Sequence, residues 1–90
     1  MHDGMDNLRM TYYCDSVRWH LICIPYSIAN LHAMADDLGI HRCHFHRKNR
    51  LSHYDIPRMR IAEISARCVI LPRERDIVNL IRESHAPLFR

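Results

Sequence analysis

"SIANLHAMADDLG", Ser27 to Gly39, is the stretch from which the fold can be read. Ile28, Leu31, Ala35 and Leu38 recur at three- and four-residue intervals, which puts them on one face of a helix. Ser27 has the hydroxyl that accepts from the first free amides of a helix, and Gly39 takes readily to the left-handed conformation that closes one. The spacing therefore predicts a helix over Ser27 to Leu38. Just upstream, "WHLICIPY" (Trp19 to Tyr26) is almost continuously apolar, as a central strand would be, with Pro25 at its end where a missing N–H does no harm. Before that, "MTYYC" (Met10 to Cys14) is rich in β-formers and predicts a first strand.

Downstream of the helix the period changes to two. From Ile40 to His46 the alternation predicts a third strand, with Cys43 and Phe45 toward the core and Arg42, His44 and His46 projecting together outward. "RKNRLSH" has no apolar period and reads as a loop. Pro57 suits the first turn of a second helix with Asp55 or Ile56 at its cap, and Met59, Ile61, Ala62 and Ile64 supply its apolar face. "RCVILP" (Arg67 to Pro72) reads as a short buried strand. A last helix follows from about Arg73 to Ser84, with Ile77, Leu80 and Ile81 inward. The order β-β-α-β-α-β-α implies an α/β domain over residues 10–85, with a four-stranded, mixed or mainly parallel sheet and helices packed on it. Residues 1–9 read as a flexible extension and 86–90 as a tail.

Ninety residues with 48% apolar content and only two glycines and four prolines make one globular domain, neither disordered nor fibrous. A chain of this length buries only roughly 60–65% of the surface that its unfolded form exposes, so a homodimer would be a direct way to bury more. No apolar run approaches a membrane span. Cys14, Cys23, Cys43 and Cys68 are widely spaced and form no C-x-x-C pair, which suits free thiols in a reducing cytoplasm.

Net charge is only +3, but its distribution is uneven. Between His41 and Arg60, six basic residues (Arg42, Arg47, Lys48, Arg50, Arg58 and Arg60) face one acid, Asp55, and four histidines lie in the same window. Such a concentration attracts phosphates or acidic protein surfaces. Neither common glycine-rich phosphate loop is present, so side chains would have to hold the anion: Arg42, His44, His46, Arg47, Lys48, Arg50 and His53, with Tyr54 free to stack on a base. His44, His46 and His53 are the set from which an open metal site would be built. However, no H-x₃-H pair exists and Cys43 would point to the other face, so neither metal nor cofactor is expected. His53 beside Asp55 has the look of a base and its orienting carboxylate, yet no nucleophile elbow accompanies them, and binding is expected rather than turnover. Asp15 and Arg18, just after the first strand, stand where α/β sheets open their ligand crevices.

The segments "TYYCDSVRW", "LHAMADDLGI" and "SHYDI" resemble a small bacterial and phage family, domain-of-unknown-function family 4031, across about Thr11 to Arg82. Asp15, Arg18, His32, His53, Tyr54 and Asp55 match its recurring residues. Three departures stand out: Ser16 occupies the place of a second Asp, a two-residue length difference displaces His20 from a Cys-His pair, and His46 replaces a Gln. The resemblance implies the same α/β fold, and its occurrence in phages implies an action on a host system. The resulting expectation is a cytoplasmic binding module that holds a nucleotide or nucleic acid on the basic loop. The alternative is an inhibitor that captures an acidic surface of a host defence complex, and a second alternative is a His/Asp enzyme or metal site.

Overall fold

A computed structural model describes residues 9–85, so the expected N-terminal extension and C-terminal tail lie almost wholly outside the described residues. Within them the chain forms β1 (Thr11–Asp15), β2 (His20–Ile24), α1 (Ile28–Leu38), β3 (Phe45–His46), β4 (His53–Asp55), α2 (Ile61–Ser65), β5 (Val69–Leu71) and α3 (Glu74–His85). The sheet is mixed and has five strands, one more than expected, in the order β3-β4-β2-β1-β5. Only the β1–β5 pair is parallel.

The apolar run at Leu21, Ile22 and Cys23 does lie at the centre of the sheet, fully buried. α1 forms as its period requires. Ser27 Oγ accepts the Asn30 amide, and Gly39 closes the helix at φ 71°. Arg60 completes that end by donating to the Leu38 and Gly39 carbonyls, each at 2.6 Å, groups that the helix itself leaves without partners. α1 and α3 cover opposite faces of the sheet: Tyr54 of β4 meets His32 of α1, while its neighbour His53 lines a cavity with Ile77, Val78 and Ile81 of α3.

Three segments depart from expectation. The strand foreseen over Ile40 to His46 is mostly a 3₁₀ turn at Arg42–His44, because His41 Nδ1 accepts the Cys43 amide and curls the chain, leaving Cys43 exposed. Only Phe45 and His46 remain extended. "HYD" is itself a strand, paired with β2 on one side and β3 on the other, so Asp55 caps no helix. Pro57 instead leads into a 3₁₀ turn at Arg58–Arg60 ahead of the short α2, and Met59 stands 95% exposed rather than on an apolar face. Finally, β5 is an edge strand, with Val69 and Ile70 about half exposed rather than buried.

The β1–β2 turn is organised by one carboxylate. Asp15 is fully buried, and its Oδ1 accepts the amides of Val17, Arg18 and Trp19 while Oδ2 accepts the His20 amide and ring Nδ1–H. Burial alone would raise this carboxyl, but the amides of Arg18, Val17 and His20, with the His20 ring, outweigh it and hold Asp15 below the usual range. The same bonds support Trp19 at φ 60°, an uncommon conformation for a side chain of that bulk. Asp15→Ala is expected to cost roughly 3 kcal/mol or more of unfolding free energy, because several buried donors lose their acceptor together. Urea denaturation measures this. Asp36→Asn, which loses only an exposed 3.7 Å pair with Arg42, should leave the midpoint essentially unmoved.

Candidate functional site

Antiparallel register decides which side chains meet. His20 of β2 lies opposite Asp55 of β4, and His46 of β3 lies opposite His53 of β4. Directly opposed residues share a face, as do residues two apart on a strand, so His20, His46, His53 and Asp55 converge on one side of the sheet. The ring centroids of His20 and His53 are 4.7 Å apart, edge to face, and those of His46 and His53 are 5.5 Å apart, stacked.

The donors in this cluster are already oriented. His20 Nδ1–H is committed to Asp15 Oδ2 at 3.0 Å, and His53 Nδ1–H to the Leu51 carbonyl at 2.9 Å. Each ring therefore keeps Nε2 as its uncommitted nitrogen. His46 Nε2 reaches Asp55 Oδ2 at 2.8 Å, whereas Asp55 Oδ1, 3.5 Å from His53 Nε2, is buried without a hydrogen-bond partner. Burial holds His53 below the usual imidazole range. Glu74, the first residue of α3, pairs with Arg18 at 3.1 Å and lies 3.8 Å from His20 Nδ1. Two openings reach the cluster. One, of about 200 Å³, is lined by His20, His53, Lys48, Glu74 and α3; the other, about 440 Å³, is lined by Arg18, His20, Asp55 and Arg58.

Beside it lies a second feature of opposite character. The chain turns at 48–52, where the Leu51 amide donates to the Lys48 carbonyl, Ser52 Oγ accepts the Lys48 amide and Asn49 is left-handed at φ 49°. This turn and the end of α3 enclose a cavity of about 400 Å³ lined by Lys48, Asn49, Arg50, Leu51, Arg82 and His85. No carboxylate lines it. The ion pairs among the described residues engage Arg18, Arg42, Arg60, Arg67 and Arg73, and leave Lys48, Arg50 and Arg82 to the cavity.

The residues singled out in the sequence are thus divided. Lys48 and Arg50 meet at the cavity, and His46, His53 and Asp55 meet in the cluster. Arg47 is exposed without a described ion pair, Arg42 turns away to Asp36, and His44 sits in the 3₁₀ turn. Asp15 is wholly engaged by its own turn, and Arg18 reaches the cluster through Glu74. Tyr54 is not free to stack on a base: it is fully buried on the opposite face, with its hydroxyl 2.7 Å from His32 Nδ1, and burial raises its phenol and lowers the His32 imidazole.

Sequence reasoning missed His20, Arg82 and His85. His20 carried a signal, since it follows the short Asp15 turn at the head of the most apolar strand. Arg82 and His85 carried none beyond the polar face of a terminal helix.

This geometry belongs to a small mixed α/β domain with a histidine–carboxylate cluster on one sheet face and a cationic cavity next to it. The chain is a member of the family described as Protein of unknown function (DUF4031), whose model matches residues 5–84. Searches of curated proteins and of solved structures returned no match. Among the described residues no helix is long and apolar enough to cross a membrane.

Because Tyr54 faces α1, Tyr54→Phe should cost about 1 kcal/mol of stability through the lost bond to His32. It should leave the ring resonances of His20 and His53 in place. Heteronuclear NMR with a parallel urea melt tests both halves.

Proposed function

We propose that the chain is a binding protein for a phosphate-bearing ligand of nucleotide size, seated between the 48–52 turn and the end of α3. The observation that carries this reading is the cavity itself, where Lys48, Arg50 and Arg82 converge with His85 and no carboxylate contributes to the wall. Cations concentrated in a concave site raise the local concentration of anions, and guanidinium groups match phosphate oxygens in pairs. A volume of about 400 Å³ suits a nucleotide or the end of a nucleic-acid strand better than a long duplex track. Four free thiols fit a reducing cytoplasm as the place of action.

Isothermal titration at low salt with nucleoside mono-, di- and triphosphates and a short oligonucleotide tests the reading. Binding should weaken with added salt and fall about 10- to 100-fold in Lys48→Glu, Arg50→Glu or Arg82→Glu, the value of one charge-assisted contact. No heat with any of these ligands, or wild-type affinity in all three variants, would rule it out.

A second reading draws on Arg47 and Arg58, which lie exposed outside this cavity without described ion pairs. With them the basic surface would capture an acidic face of a host defence protein. That reading predicts a stoichiometric protein complex sensitive to Arg47→Glu, with nucleotides silent.

A further inference from the structure

We infer that His20, His53 and Asp55 form a binding site for a divalent transition-metal ion of the zinc class, with His46 and Asp15 as its positioning residues. The inference is independent of the anion-binding reading, since it concerns the other feature of this sheet face. One ligand-type atom from each of the three residues lies within 4.8 Å of the others. Donors at about 2.1 Å from a tetrahedral ion stand about 3.4 Å apart, and His53 Nε2 and Asp55 Oδ1 already meet that spacing at 3.5 Å. A small inward shift of His20 completes the set.

Four further observations point to a cation rather than a packed polar cluster. Asp55 Oδ1 is buried without a partner, a costly arrangement unless something positive sits against it. With Nδ1–H donated to Leu51, the neutral His53 ring turns its Nε2 lone pair toward that same oxygen, so no proton separates the two acceptors and a metal ion would satisfy both. His20 is backed by Asp15 and His53 by a main-chain carbonyl, the outer-shell partners that fix the tautomer and raise the basicity of ligating imidazoles. His46 holds the other Asp55 oxygen at 2.8 Å, leaving Oδ1 to point inward.

The donor set chooses the metal class. Two imidazoles and one carboxylate favour zinc, cobalt, nickel or iron over magnesium and calcium, which prefer oxygen. Three protein ligands leave a position open, as catalytic rather than structural sites do. The cleft of about 440 Å³ lined by Arg18, His20, Asp55 and Arg58 gives that position room for water or an anionic ligand. Asp15 adds a negative charge directly behind His20, which favours a cation on the far side of that ring, while Glu74 is already paired with Arg18.

The test uses metal alone, without phosphate, so its outcome is separate from that of the nucleotide titrations. Metal-stripped protein is titrated with zinc chloride by calorimetry and with cobalt chloride by visible absorption. The expected result is one ion per chain. His20→Ala, His53→Ala and Asp55→Asn should each weaken zinc by more than 100-fold, and His46→Gln by about 10- to 100-fold, because Asp55 loses the imidazole that orients it. His41→Ala and Cys43→Ser, ligand types outside the cluster, should bind as the wild type does. Circular dichroism of the stripped variants shows whether the fold survives. Should a ligand variant unfold, histidine ring NMR of the wild type decides the matter, with His20 and His53 shifting on zinc addition and His41 unmoved. Wild-type protein that binds no zinc, or whose binding is lost in the His41 or Cys43 variant, would overturn the inference.

Discussion

The Asp15 carboxylate is the constraint on which the sheet face depends. By accepting four successive amides and one imidazole N–H it closes the β1–β2 turn and supports Trp19 in a left-handed conformation. The effect spreads from there. The Trp19 carbonyl accepts the Ile56 amide at 3.0 Å, which ties the head of β2 to the residue after β4 and keeps His20 opposite Asp55. A one-residue slip in that pairing would send His53 and Asp55 to the α1 side and bring Tyr54 out, so the site exists only in this register.

Electrostatically this face has two halves. The cluster holds Asp15, Asp55 and Glu74 around imidazoles, a setting that favours a cation, while the adjoining cavity presents Lys48, Arg50 and Arg82 and favours an anion. Lys48 and Leu51 line the openings of both. Neither half neutralises the other completely, because Lys48 and Arg50 have no carboxylate among their described ion pairs and Asp55 Oδ1 has no donor. A ligand that brings phosphate oxygens to one half and a metal ion bound by the other are chemically compatible occupants of neighbouring sites.

Much of this was legible in the sequence wherever local periodicity and tertiary packing agree. The Ser27-to-Gly39 pattern, the apolar run of β2 and the Ile77/Ile81 face of α3 each encode their element locally; both helices formed within one residue of expectation, and β2 ends two residues early, at Ile24. "HYD" did not read as a strand because three residues carry no usable period, and its extended form comes from partners on both flanks. The basic run from Arg42 to Arg60 misled through proximity. Chain neighbours there diverge, Arg42 to Asp36 and Arg60 to the end of α1, while the cavity draws Arg82 and His85 from the far end of the domain. The meeting of His20 with His53 and Asp55 is likewise set by cross-strand register, which no short window displays, although the position of His20 at the head of the apolar strand is itself visible in the sequence.

The proposed metal site draws its ligands from β2 and β4 and its positioning imidazole from β3. Anomalous diffraction at the zinc edge, from crystals grown with one equivalent of zinc, addresses it most directly. A single peak about 2.0–2.1 Å from His20, His53 and Asp55 is expected, with the His20–Asp15 bond intact. A peak at Cys43 and His44, or none at all, would contradict it.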